Sequence, residues 1–151
     1  SFEERFLALP EEVILEVATP IFRSTDNGDS WAGIDEAGPS TFGFAVAVHP
    51  NDPDTGWFVP AISDMVRIPV DGSLVVTRTR DGGATFDVLD DGLPADHAYD
   101  LVYRHGLDVD ATGERLVMGS TTGSLWWSAD AGDHWHQASA NLPPIASVRW
   151  V

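Results

Sequence analysis

Two stretches of the chain hold side chains of the types that do chemistry in enzymes and binding proteins. The first is 62–72, a long connection between apolar segments in which Asp64 and Arg67 stand three residues apart. A carboxylate next to a guanidinium can move a proton or bind a charged ligand, and long loops on rigid scaffolds are where function collects. The competing interpretation is a surface ion pair of little energetic value.

The second stretch is 96–105, in which ionisable and aromatic residues follow one another. If the chain is extended here, alternation places Tyr99, Tyr103 and His105 on one side and Arg104 on the other, with His97 just before them. Histidine titrates near neutral pH and can act as an acid, a base or a ligand. The competing interpretation is packing of two tyrosines and a hydrogen-bonded histidine. The candidate catalytic residues are Asp64, Arg67, His97, Tyr99, Tyr103, Arg104 and His105.

Metal and cofactor chemistry is weakly represented. The sequence has no cysteine, hence no thiolate zinc site, and no Gly-rich phosphate loop, serine nucleophile motif or His-Glu zinc helix. His134 and His136 stand two residues apart on a predicted outer strand, which disfavours a functional metal there. We therefore expect no cofactor. A divalent metal, on channel histidines or on aspartate-rich turns, is the weaker alternative.

The net charge of the chain limits the classes of partner that it is expected to bind. The 151 residues include 24 Asp and Glu against 8 basic residues, all of them arginine, so the formal net charge is −16. Binding to a nucleic-acid backbone depends on cationic side chains, and this composition excludes it as an expected function. No stretch approaches the roughly 20 apolar residues of a membrane span, so no membrane partner is expected. The N-terminus is acidic and unlike a signal peptide, which predicts a cytoplasmic location.

A pattern of the form [ST]-x-D-x-G-x-x-[WF] occurs three times at near-regular intervals, at 24–31, 79–86 and 128–135. Each copy follows an apolar strand and predicts a hairpin turn. Its aspartate (Asp26, Asp81 or Asp130) can accept hydrogen bonds from the N–H groups of the turn, and its glycine permits a positive φ. We interpret these carboxylates as structural, not catalytic.

The pattern resembles the Asp-box, or BNR, repeat of sialidase-like β-propellers. Segment 42–55 is similar to a strand and turn of bacterial BNR-repeat glycosyl hydrolase-like proteins, and 92–94 and 141–144 to the linkers between their blades. The similarity covers roughly 12–151, and the chain looks like the C-terminal part of a longer family member. The resemblance implies a sugar-acid hydrolase that uses an arginine triad, a Tyr/Glu nucleophile pair and an aspartate acid/base. No motif fixes these roles, and Arg67, Arg104 and one of the two tyrosines are candidates only.

Alternation and β-branched content predict an all-β protein without long helices. We expect an N-terminal extension at 1–11 and a three-blade half-propeller at 12–151, each blade being a four-stranded antiparallel sheet with the repeated turn between its two outer strands. The first blade lacks its innermost strand, and the last strand has no blade of its own. Strands are predicted near 12–19, 21–24, 31–34, 42–49, 56–62, 73–79, 85–89, 98–109, 114–120, 124–128, 134–138 and 145–151.

Three blades are too few to close a propeller, and an open arc exposes long sheet edges. We expect a homodimer that forms a six-bladed ring, in which strand 145–151 of each chain completes the first blade of the other. The open alternatives are a piece of a longer propeller and a nine-bladed trimer.

In such a ring the repeated turns, together with His49, Asp52 and Asp54, lie on the face opposite the usual ligand face. The ligand face receives 35–41, 62–72, 90–98, 121–124 and 139–144. The expected function is a sialidase-like propeller that binds a small-molecule or carbohydrate ligand in its central channel, or hydrolyses it as a glycosidase or another ester or acetal hydrolase. The alternative is a non-enzymatic carbohydrate- or protein-binding scaffold.

Overall fold

The computed structural model describes residues 21–151, in which the regular elements are ten β-strands and one short 3₁₀ turn at Val70–Gly72. The extension at 1–11 and the strand predicted at 12–19 lie outside the described residues. The strands are β1 (Ile21–Arg23), β2 (Ala32–Ile34), β3 (Gly43–Val48), β4 (Gly56–Pro60), β5 (Val76–Thr79), β6 (Asp87–Leu89), β7 (Leu107–Val109), β8 (Leu116–Gly119), β9 (Leu125–Ser128) and β10 (His136–Ser139).

The strands form three antiparallel sheets in which neighbours in sequence are neighbours in space. The first sheet contains β1 and β2, the middle sheet β3 to β6, and the last sheet β7 to β10. The inner strands β3 and β7 lie next to each other. The structure confirms the all-β class with four-stranded antiparallel sheets. No helix in the described part of the chain is long and apolar enough to cross a membrane.

The main core lies between the middle and last sheets. Trp57 of β4 and Trp126 of β9 are fully buried there, together with Leu116 and Met118 of β8. The indole N–H of Trp57 donates to the carbonyl of Ala131 (2.8 Å), so its burial leaves no polar group without a partner. Removing a side chain of this size from a packed core costs about 3–5 kcal/mol.

Two predicted strands are wrong. Of 98–109 only Leu107–Val109 is extended, because the preceding residues bend to bond the turn at 120–122. The segment 145–151 makes a single parallel bridge, from Ser147 to His105, and no strand. It lies along the inner edge of the last sheet of its own chain, and a ladder does not form because the backbone that it faces is irregular. The strands predicted between 21 and 89 and between 114 and 138 are confirmed, most of them with shorter ends.

Each pair of neighbouring sheets is joined by an arginine of the earlier sheet, which directly precedes the repeated turn of that sheet. Arg23 donates from Nη1 to the carbonyl of Gly82 (3.0 Å) and pairs with Asp54. Arg78 donates from Nη1 to the carbonyl of Ala131 (2.9 Å) and pairs with Asp133 (2.8 Å). Gly82 and Ala131 occupy the fourth position of the second and third turns. Each arginine therefore binds the carbonyl of the fourth residue in the next turn along the chain.

Replacing Arg78 with alanine is expected to destabilise the fold. Its side chain is 4% exposed and serves two carboxylates, Asp87 and Asp133. Its removal leaves the Ala131 carbonyl without its donor and two half-exposed carboxylates without their partner, which costs about 1–3 kcal/mol. The free energy of unfolding in urea should fall by that amount in Arg78→Ala. The matched control is Arg80→Ala, an exposed arginine two residues away, which should stay within about 0.5 kcal/mol of the parent. Equal effects of the two variants would contradict the assignment.

Candidate functional site

One face of the sheets, here called the upper face, carries both stretches of candidate residues. The connection from β4 to β5 of the middle sheet lies on this face. The segment that leads into β7 of the last sheet lies there too. The two stretches are tied together by a backbone hydrogen bond from the N–H of Ala98 to the carbonyl of Gly72 (2.8 Å). The three repeated turns lie on the opposite, lower face.

The loop 61–69 holds Asp64 and Arg67 in a defined arrangement. Ile62 donates its N–H to the carbonyl of Ile68 (3.0 Å), and Ser63 and Val66 exchange backbone hydrogen bonds at the tip. Arg67 donates from Nη2 to the Asp64 carboxylate (2.5 Å) and from Nε to the Asp64 carbonyl (2.8 Å). Both side chains are about half exposed, so the pair contributes about 0–1 kcal/mol. The pair therefore fixes the positions of the Asp64 and Arg67 side chains and adds little to the stability of the fold.

A groove of about 400 Å³ lies beside this loop, between β1 of the first sheet and the inner strands of the middle sheet. Asp64 and Arg104 both line it, so the structure brings together one candidate from each stretch. Arg67 lies over the ring of Phe44, with its guanidinium carbon 5.3 Å from the ring centre. Other described lining residues are apolar or small: Ile21, Phe22, Ser40, Thr41, Phe42, Gly43, Ala45, Val46, Phe58, Val59 and Pro60.

The remaining candidates of the second stretch are not gathered into this groove. His97, Tyr99, Tyr103 and His105 are exposed and do not line it. His97 has a left-handed backbone, with φ of 51°, at the start of the segment. Because 98–106 is not a strand, the predicted alternation of its side chains is wrong: Tyr99, Tyr103 and Arg104 are all exposed to solvent.

The cause of this irregular path is a buried aspartate. Asp100 accepts hydrogen bonds from the hydroxyls of Ser120 (2.6 Å) and Thr122. Leu101 continues the attachment by accepting from the N–H of Thr121 (2.8 Å). These bonds fasten 100–101 to the turn between β8 and β9, and Leu101 and Val102 are both buried. The aspartate therefore has a structural role.

The three repeated turns share one set of hydrogen bonds. In each, the hydroxyl at the first position donates to the aspartate (2.8–2.9 Å) and accepts from the glycine N–H (2.7–2.9 Å). The aspartate also accepts from the backbone N–H at the seventh position (2.8–3.0 Å) and from the side chain there. The glycines have φ of 93°, 96° and 94°, which L-residues resist; they are Gly28, Gly83 and Gly132.

These hydrogen bonds favour the ionised carboxylates. The hydroxyl of Ser30 lowers the pKa of Asp26 to about 2, and that of Thr85 does the same for Asp81. Burial raises the pKa of Asp130, but hydrogen bonds from the backbone and ring of His134 outweigh it and bring this pKa to about 2 as well. Such carboxylates hold no proton to give at neutral pH, which fits a structural role.

The other polar residues of the lower face are also used in turns. Asp52 accepts from the hydroxyl of Thr55 (2.6 Å), which lowers its pKa, and Asp54 pairs with Arg23. His49 stacks near Trp57, with ring centres 6.2 Å apart. Across residues 21–151, no group of three or more His, Cys, Asp or Glu side chains is arranged to hold a metal ion.

Solved structures provide the comparison for this architecture. The chain is similar to the GH74 enzyme of Niastella koreensis, with a TM-score of 0.58 and 18% identity over 83% of this chain and 19% of that one. It is also similar to the GH74 xyloglucanase from Xanthomonas campestris, with a TM-score of 0.56 and 24% identity over 79% of this chain and 17% of that one. No protein-family model matches the sequence, and no curated protein does.

At these identities the comparison concerns the fold. The neighbours are β-propeller-containing enzymes, so the three sheets are successive blades of a β-propeller. The chain spans less than a fifth of the length of each of these solved chains.

Sequence reasoning missed the residues that act between sheets. Arg23 and Arg78 bind the next turn, and Phe44 supports the arginine of the 61–69 loop. For the arginines a signal existed, because each stands directly before the first residue of a repeated turn. For Phe44 there was none, since its partner lies more than twenty residues away and on a loop.

The third turn is expected to respond to pH through His134. This histidine stands where the other turns have Ser30 and Thr85, and its hydrogen bond to Asp130 raises its pKa above 6.5. A raised pKa in the folded state gives stability that is complete below pH 6.5 and is lost as pH rises through the folded value. The urea concentration at the midpoint of unfolding should therefore decrease as the pH is raised from 6 to 8.5.

The comparison variant is His134→Thr, which keeps a hydrogen-bond donor at this position without a titrating ring. The other histidines are common to both proteins, so the difference between their midpoint-against-pH curves isolates this group. If both curves have the same slope between pH 6 and pH 8.5, the coupling of His134 to the turn is refuted.

Proposed function

We propose that this propeller segment binds a carbohydrate on its upper face, in the groove beside the 61–69 loop. The observation that carries the proposal is the convergence of Asp64 and Arg104 on one groove with an apolar wall. Ligand sites combine such walls with a few convergent polar groups. The fold likeness to GH74 glycoside hydrolases supports a carbohydrate-active segment.

The two arginines of the site have different surroundings. Arg67 is engaged with Asp64, whereas Arg104 takes part in none of the ion pairs between described residues. Arginine presents a planar fork of donors that fits a carboxylate in a bidentate manner. This favours a saccharide that carries an acidic group, in line with the sugar-acid specificity that a sialidase-like propeller implies.

Hydrolysis is the second candidate function, favoured by the enzymatic nature of both solved neighbours. Glycosidases place two carboxyl groups on either side of the scissile bond, roughly 5–9.5 Å apart. Among the described lining residues Asp64 is the only carboxylate, and it is paired with Arg67. A hydrolytic site would need a second carboxylate from elsewhere in the ring, so binding is the simpler function for this segment.

We also propose that the three repeated turns are Asp-boxes of the BNR type. The shared hydroxyl–aspartate–glycine arrangement and its place between the two outer strands support this assignment.

The binding proposal is tested by calorimetric titration with a glucuronate-containing oligosaccharide and with its carboxyl-reduced, neutral counterpart. The acidic saccharide should bind more tightly, and Arg104→Ala should weaken it at least about tenfold, since a hydrogen bond to a charged group is worth roughly 1.5–3 kcal/mol. The matched control is Arg115→Ala, an exposed arginine of the lower face, which should leave the affinity unchanged. Equal losses in both variants, or no binding of either saccharide, would refute the proposal.

The second candidate is tested with a chromogenic glycoside. A hydrolytic site predicts release of the chromophore that Asp64→Asn and Arg67→Ala each reduce at least about tenfold, while Arg115→Ala retains the parent rate. Release that persists unchanged in Asp64→Asn and Arg67→Ala removes the pair from any mechanism, and absence of release in the parent leaves binding as the function.

A further inference from the structure

The junctions between the sheets follow one rule, which predicts what a further sheet must offer. The fourth residue of the second and third turns has a left-handed backbone, with φ of 71° at Gly82 and 57° at Ala131, and its carbonyl accepts from the arginine of the preceding sheet. Beside it, Ile34 lies against the glycine of the second turn, and Leu89 lies against the glycine of the third. Each turn is thus covered by the sheet before it.

The last sheet departs from this rule on its outward face, which is the face that does not pack against the middle sheet. Trp127 stands where the earlier sheets have Arg23 and Arg78, directly before the turn. It is 40% exposed and contacts the ring of His136 in a tilted arrangement, with ring centres 4.7 Å apart. The position that corresponds to Ile34 and Leu89 is Ala138, which is exposed. An indole replaces the guanidinium, and a small residue on the adjacent strand leaves room for it.

The first turn provides the complementary surface. Its fourth residue, Asn27, has φ of 60°, the same left-handed backbone as Gly82 and Ala131 in the other two turns. No described residue donates a hydrogen bond to the Asn27 carbonyl. The aromatic residue of the turn, Trp31, is 53% exposed, whereas its counterpart in the third turn, Trp135, is 3% exposed beneath the middle sheet. The first turn is a turn without a covering sheet among the described residues.

We propose that the outward face of the last sheet binds the first turn of a second copy of this chain, with the indole N–H of Trp127 donating to the Asn27 carbonyl. The chain already contains this type of bond, since the indole of Trp57 donates to the equivalent carbonyl of Ala131 at 2.8 Å. Two copies present two such pairs of surfaces, and two identical junctions close a ring of six sheets, within the range of four to eight blades of known propellers.

The inner edge of the last sheet is consistent with this closure. Segment 145–151 runs parallel to the residues that lead into β7, as the inner strands β3 and β7 run side by side. In the dimer this segment lies between the last sheet of its own chain and the first sheet of the partner. The inference concerns assembly and does not depend on the proposed carbohydrate site.

The first measurement is the mass of the 151-residue chain by light scattering behind a sizing column. We expect twice 16.3 kDa. Trp127→Ala should raise the dissociation constant of the dimer at least about thirtyfold, since a buried tryptophan at the centre of an interface contributes roughly 2 kcal/mol or more. Tyr99→Ala, which removes an exposed aromatic side chain from the upper face, is the control and should leave the dimer intact. A monomer, a different oligomer, or a dimer insensitive to Trp127→Ala overturns the proposal.

A mixing experiment separates a direct junction from general damage to the fold. Trp31→Ala weakens the other half of the same junction, so each variant alone has two impaired junctions. When Trp31→Ala and Trp127→Ala chains are mixed, the mixed dimer has one junction with both tryptophans and one with neither. Recovery of dimer mass on mixing is the expected result, and absence of any recovery contradicts the pairing of these two surfaces.

Discussion

Each repeated turn is closed by hydrogen bonds among a hydroxyl, an aspartate and backbone N–H groups, and the arrangement of the sheets depends on this closure. The bonds fix the glycine at a positive φ, and the fourth residue beside it also has a left-handed backbone. The arginine of the preceding sheet then binds the carbonyl of this fourth residue. A local turn thereby becomes a point of attachment between sheets. If the aspartate were lost, the carbonyl would lose its orientation, and Arg23 or Arg78 would lose its partner.

The parts of the fold that sequence reasoning predicts correctly are those with local causes. A hairpin turn is specified by residues within eight positions of one another, so the three turns and the strands beside them follow from the pattern. The segment 98–106 is predicted wrongly because its conformation has a distant cause: Asp100 is held by Ser120 and Thr122, about twenty residues away. Its alternation is that of a strand, but a buried carboxylate must find donors, and this requirement outweighs the preference for extension.

The candidate site was partly predictable for the same reason. Asp64 and Arg67 are three residues apart, and their pairing follows from that spacing and a tight loop. Their meeting with Arg104 does not, because it depends on how the segment before β7 reaches a groove of the middle sheet. His97, Tyr99, Tyr103 and His105 have suitable chemistry but are spread over an irregular backbone. Residue types indicate which reactions are available, whereas the path of the chain decides which residues share a site.

The two alanines of β3 have a consequence for how neighbouring sheets pack against each other. Ala45 and Ala47 are buried where β3 lies beside β7. Their methyl side chains let the inner strands of neighbouring sheets approach each other closely, whereas the large side chains of Trp57 on β4 and Trp126 on β9 fill the space between the same two sheets farther out. This difference in side-chain volume between the inner strand and the next two strands favours an inclination between neighbouring sheets. In closed propellers, the inclination between neighbouring blades determines how many blades complete the ring.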